Sequence, residues 1–133
     1  MTETGRLHIL VAEDNDLNVA VLLEYLDRRG HHVEVARDGR AALELAGREG
    51  AAYDVLLLDL HMPEMDGFEV AQTIRERERG TPNHLPIIAL TARSSQRDRE
   101  RALAAGMDDL LSKPIQIEAL WDAIDRAIAA TIT

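Results

Sequence analysis

The order of apolar segments in this 133-residue chain predicts an α/β fold: a doubly wound, five-stranded parallel sheet with five helices on its two faces. Three observations carry that prediction. Short apolar runs alternate five times with segments whose apolar residues recur at helical spacing, and parallel neighbours require such crossovers. The run Val55 to Leu58 is apolar throughout, as a strand covered on both faces should be. Pro63 and Gly67 then break the chain before the next helical segment.

Each element has its own signal. Leu7 to Ala12 reads as a buried strand that ends in the acidic pair Glu13-Asp14. Asp16 is placed to cap the first helix, whose apolar positions are Leu17, Ala20, Val21, Leu23 and Leu26. Arg28, Arg29 and Gly30 close it. Val33 to Ala36 forms a second strand, and Asp38-Gly39 leads into a helix over about 40–48. The third strand delivers Asp59 to its carboxyl end, and a third helix over 67–77 offers Phe68, Val70, Ala71 and Ile74 to the core. Residues 78–86 carry two prolines and form a polar connection. Ile87 to Leu90 makes the fourth strand, ending in Thr91-Ala92.

The fourth helix, over 95–105, is the weakest. Its run from Gln96 to Arg101 has no apolar face, so only Ala102, Leu103 and Ala105 anchor it, and it should be the easiest helix to shift. Arg97, Arg99 and Arg101 read as a solvated face. Asp109 to Ser112 gives the fifth strand and Lys113-Pro114 leads into the last helix, over 116–130. Its core stripe is Ile117, Leu120, Ile124, Ala127 and Ile128, with Trp121 beside it as core edge or partner anchor.

The length fits one domain, residues 1–133. There is no cysteine, hence no disulfide, thiolate metal site or thiol nucleophile. A net charge of −9 argues against a nucleic-acid surface, because phosphate affinity needs clustered Lys and Arg. The polar start and the absence of a spanning apolar stretch point away from a membrane, and we expect a soluble cytoplasmic protein. The short flanks suggest a stand-alone unit, although a piece of a larger kinase would look the same. Fourteen of the 15 cationic residues are arginine, and the single lysine is Lys113. Arg and Lys are not interchangeable where a point charge enters a tight site, so Lys113 is a candidate site residue.

Ligands of doubly wound sheets lie beyond the carboxyl ends of the strands. That rule gathers Glu13, Asp14, Asp59, Thr91 and Lys113 at one edge. Crowded carboxylates need a cation or a proton. With no cysteine and no pair of histidines at ligand spacing, an oxygen-only site favours Mg²⁺, with Mn²⁺ the alternative. Carboxylate oxygen can itself attack phosphorus, giving an aspartyl phosphate. Asp59, alone at the end of a central strand, is the phosphoacceptor candidate. Glu13 and Asp14 are metal ligands, direct or through water, and Thr91 and Lys113 contact the phosphoryl oxygens. Ala92 leaves the site open, and His61 sits at its rim, with a general-base role as the alternative.

Glu13-Asp14, the Asp59 strand, Met62-Pro63-Glu64-Met65-Asp66-Gly67, Thr91-Ala92 and Lys113-Pro114, in this order, resemble a response-regulator receiver domain over essentially the whole chain. Asp14-Asn15 with Asn18, Ala105-Gly106-Met107-Asp108-Asp109 and Ser112-Lys113-Pro114-Ile115 are most similar to receivers of hybrid sensor histidine kinases. The resemblance implies a flavodoxin-like sheet of order 2-1-3-4-5 and a role in two-component phosphorelay signalling. A phosphoryl group would pass from phosphohistidine of a sensor histidine kinase or histidine phosphotransfer protein to Asp59. It also implies Mg²⁺ held by Glu13, Asp14, Asp59 and the backbone carbonyl at Met62, and a cis Lys113-Pro114 bond. A downstream partner protein would read the α4-β5-α5 face, meaning the fourth helix, fifth strand and fifth helix. Such a domain catalyses its own phosphorylation and dephosphorylation without multiple turnover on a separate substrate.

Leu110 departs from the pattern, since receivers usually carry tyrosine or phenylalanine three residues before the lysine. The expected switch is therefore a shift of the loop after Thr91 and of the fourth helix without an aromatic flip. Two other readings compete. One is a receiver-like interaction module that is not phosphorylated, which Leu110 keeps open. The other is an aspartate-nucleophile phosphatase, which would need an aspartate where His61 stands.

Overall fold

The computed structural model describes residues 6–62, 64–92 and 95–132; Pro63 of the acidic motif therefore lies outside the described residues, as do Arg93 and Ser94. The elements run β1 (His8–Ala12), α1 (Asp16–Asp27), β2 (His32–Ala36), α2 (Gly39–Ala46), β3 (Val55–Asp59), α3 (Gly67–Glu78), β4 (Ile87–Thr91), α4 (Gln96–Ala104), β5 (Asp109–Ser112) and α5 (Ile117–Ile132). All strands are parallel in the order β2-β1-β3-β4-β5, as the family resemblance implied.

Alternation along the strands splits the core in two. Leu10, Leu56, Leu58, Ile87 and Ala89 face Ala42 and Leu43 of α2, Phe68, Val70, Ala71 and Ile74 of α3, and Ala102 of α4. Ile9, Val11, Leu57, Ile88 and Leu90 face Leu22 and Leu26 of α1 and Leu120, Ala123, Ile124 and Ala127 of α5. β3 and β4 are buried along their full length, which is why they read as unbroken apolar runs.

Four N-caps set the helix starts: Asn15, Asp38, Asp66 and Ser95 each accept a backbone N–H three residues on. Asn15, and not Asp16, therefore caps α1; Asp16 instead pairs with Arg37. The apolar face of α1 also differs from expectation. Val19, Leu22 and Leu26 are buried, whereas Leu17 and Leu23 are 72% and 38% exposed. Leucine is common on both sides of this helix, so spacing alone chose the wrong stripe.

In α4, Ala102 is buried and Ala105 follows it inward, but Leu103 is 55% exposed. Arg97, Arg99 and Arg101 are all exposed, as a solvated face should be, and the Arg101 guanidinium also lies 3.9 Å from the centroid of the Phe68 ring on α3. Arg75 ties this side together, donating to Gly106 O, Leu85 O and Asp108 Oδ2 while pairing with Glu78. A Cβ on Gly106, which has φ +99°, would come within 2.6 Å of the Arg75 side chain. Trp121 is half-buried beneath the Arg29 guanidinium, 4.6 Å from its centroid, and Arg29 in turn pairs with Asp125. No described helix is long and apolar enough to cross a membrane.

Candidate functional site

At the carboxyl edge of the sheet, β1 gives way to Glu13 and Asp14, β3 ends in Asp59, β4 ends in Thr91 and β5 is followed by Lys113. One carboxylate oxygen from each of Glu13, Asp14 and Asp59 lies within 4.8 Å of the others. Glu13 is fully buried and Asp59 nearly so, while Asp14 is exposed. The Lys113 ammonium stands 2.8 Å from Glu13 Oε1 and 3.3 Å from Asp59 Oδ1. Among the described residues, the Lys113 ammonium is the cation paired with Glu13 and Asp59.

The two buried carboxyls respond differently to this crowding. Burial pushes Asp59 up to about 6, and the charge of Glu13 adds to it; the His61 N–H, donating to Asp59 Oδ1 at 3.1 Å, and Lys113 oppose the rise. Burial would raise Glu13 as well, but its hydrogen bonds with Lys113 and with the Asn15 N–H hold it below the usual carboxylate range. Lys113 is thus engaged chiefly by Glu13, and Asp59 is the carboxylate short of positive charge. An additional cation placed among these oxygens would relieve both the repulsion and the burial cost.

Backbone packing holds Asp59 in place. A Cβ on Gly67 would lie 2.6 Å from Asp59 O and 2.9 Å from Leu60 Cα, so the start of α3 is seated directly on the end of β3. Gly67 N–H also donates to Leu60 O. Between them Glu64 adopts φ +67°, an uncommon conformation for a residue with a side chain. Asp66, in the same acidic stretch, is occupied in capping α3. On the other side the Lys113 N–H donates to Thr91 O at 2.7 Å, and the Lys113-Pro114 bond is cis.

The structure therefore brings together Glu13, Asp14, Asp59, Thr91 and Lys113. Thr91 is fully buried, Met62 is buried next to the cluster's loop, and Ala92 and His61 are exposed at the rim. His61 donates its backbone N–H to Asp59 Oδ1. Leu110 is buried on β5 opposite Ala89, in the same apolar cluster as Ala102 and Ala105. One expectation fails: the chain does contain a close pair of histidines, because His8 and His32, 24 residues apart, are register partners on β1 and β2. Both open their strands, and only the order of the strands reveals that they meet.

The chain is similar to known proteins along most of its length. A family profile described as the response regulator receiver domain matches residues 9–125. The hybrid signal transduction histidine kinase I of Dictyostelium discoideum is 37% identical over 127 residues, covering 93% of this chain and 7% of that protein. The aerobic respiration control sensor protein ArcB of Escherichia coli (strain K12) is 38% identical over 128 residues, 90% of this chain and 16% of its own length. This chain thus spans a small part of the curated relatives it matches. Among solved structures, the receiver domain of sensor histidine kinase PA1611 from Pseudomonas aeruginosa PAO1, with a magnesium ion coordinated in its active-site cleft, superposes with a TM-score of 0.82. It is 37% identical, over 94% of this chain and 99% of that one. The receiver domain of Saccharomyces cerevisiae Ssk1, solved with the phosphotransfer protein Ypd1, superposes at 0.86 with 29% identity, covering 96% and 92% of the two chains.

Proposed function

Since the chain belongs to the response-regulator receiver family of two-component signalling, we propose that Asp59 is its phosphoacceptor and that residues 1–133 form one receiver module. The observation that carries this reading is the position of Asp59. It is a nearly buried carboxylate at the end of a central strand, facing an ammonium and two further carboxylates. In the transfer, a carboxylate oxygen of Asp59 bonds to phosphorus as the P–N bond of a partner's phosphohistidine breaks. The electron pair leaves with the imidazole, which takes up a proton. Lys113 sits where it can neutralise phosphoryl oxygen, and Thr91 at the adjacent strand end supplies a hydroxyl. Ala92 and His61 border the entrance.

The donor set of three carboxylates, which the family likeness extends with the Met62 backbone carbonyl, suits a hard divalent cation, Mg²⁺ first and Mn²⁺ second. Bound there, Mg²⁺ would offset the charge on the phosphoryl oxygens. The partner supplying the phosphoryl group is a histidine kinase or histidine phosphotransfer protein. The resemblance to hybrid-kinase receivers supports this, as does the Ypd1 complex of a similar domain. A downstream partner would read the α4-β5-α5 face in the cytoplasm. Incubation with a small acyl phosphate and Mg²⁺, followed by intact mass, tests the reading. One added phosphoryl group that needs metal and is absent from Asp59→Asn supports it. No adduct under any condition would favour an interaction module, and continuous hydrolysis of phosphate esters a phosphatase.

A further inference from the structure

At the opposite end of the sheet from Asp59, the first residues of β1 and β2 place two imidazoles side by side. His8 and His32 are parallel register partners with ring centroids 4.9 Å apart, and Glu34, two residues along β2, faces the same way. His8 Nε2 lies 2.6 Å from Glu34 Oε2, and one nitrogen or oxygen from each of the three side chains falls within 4.8 Å of the others. The backbone beneath them is braced. His8 N–H donates to Asp54 Oδ2 at 2.8 Å, Asp54 N–H returns a bond to His8 O at 2.7 Å, and the Tyr53 ring centroid stands 4.4 Å from that of His8. Burial first, and the neighbouring Glu34 carboxylate second, push the Tyr53 hydroxyl above its ordinary pKa.

We propose that His8, His32 and Glu34 form a second cation site, one for a borderline transition metal of the Zn²⁺ type. Two imidazole nitrogens and one carboxylate oxygen are a mixed donor set that suits Zn²⁺, with water completing a tetrahedron. The oxygen-only cluster around Asp59 has the opposite preference. Metal–ligand bonds of about 2.0–2.2 Å put tetrahedral donors about 3.3–3.6 Å apart. The 2.6 Å pair must open by about 1 Å and the wider separations, none above 4.8 Å, must close by at most about 1.5 Å. Partial exposure of all three side chains permits those rotations and gives the ion access. Five residues of extended chain separate His8 from Glu13, about 17 Å, so the two sites are distinct. Occupancy would clamp β2, which has a strand neighbour on one side only, to β1.

Equilibrium dialysis of the whole chain against Zn²⁺ in excess Mg²⁺, with metal content measured by plasma mass spectrometry, tests this. The expected result is one Zn²⁺ retained by the wild type and by Asp59→Asn. His32→Gln and Glu34→Gln should each weaken it by more than the roughly 10- to 100-fold that loss of a supporting contact costs. Co²⁺ in place of Zn²⁺ should show a visible absorption band that His32→Gln abolishes. His32 is exposed, so its replacement leaves the packing intact. No Zn²⁺ on the wild type, unchanged affinity in both variants, or loss of the ion in Asp59→Asn would overturn the proposal.

Discussion

Single residues at the sheet edge are matched by charge and by size. Lys113 is the one lysine in a chain with fourteen arginines, and its ammonium fits between Glu13 and Asp59 with 17% of the side chain exposed. A guanidinium is planar and wider, so Lys113→Arg retains the charge but not the fit. Its rate of phosphorylation by a small acyl phosphate should fall about 100-fold, the scale of losing one preorganised stabilising donor. A rate within a few-fold of wild type would show that charge alone suffices. The carboxylates and the lysine were legible in sequence because each follows an apolar run that ends at the same edge. His8 and His32 were not, since nothing local marks two residues that meet only through strand pairing.

The elements differ in how firmly they are held, and α4 is the least anchored. Its inward contacts are Ala102, the adjoining Ala105 and the Arg101 guanidinium stacked on Phe68. Leu110 beneath it is buried and aliphatic, leaving no ring to flip, so the expected response to phosphorylation is displacement of α4 itself. Arg101→Ala should remove about 0.5–1 kcal/mol of anchoring and speed amide exchange in α4 selectively. Exchange that is unchanged in α4, or faster to the same degree in every helix, would contradict that. Weakness of α4 was readable from its polar run; the Arg101–Phe68 contact was not, because a charged residue at helical spacing does not announce what it covers. The α1 stripe failed for the converse reason, apolar residues being present on both sides of the helix.

At the scale of the molecule, stability should depend on pH through a group far from the cluster. His31 is buried, and its Nδ1 accepts the Leu7 N–H at 3.1 Å. Burial first, and Arg29 second, hold its pKa below the ordinary 6.5, against the pull of Asp125 and Asp54. The folded chain therefore binds this proton less readily than the unfolded chain. The resulting stability is present above pH 6.5 and is lost as pH falls towards the depressed folded-state value. His31→Asn keeps an acceptor for Leu7 but cannot titrate, so its thermal midpoint should decline less steeply than that of wild type below pH 6.5. Parallel declines would remove His31 from the account.

The fold was legible as a whole because alternation and apolar runs agreed, although the cap of α1 was placed one residue late, while strand order came through family likeness and not from any local signal. The central claim is that Asp59 carries the phosphoryl group, and its most direct test is chemical. Borohydride reduces an aspartyl phosphate to homoserine, so the phosphorylated chain should yield, after proteolysis, a single modified peptide with the change at position 59. Modification at Asp14 or elsewhere, with position 59 intact, would contradict it.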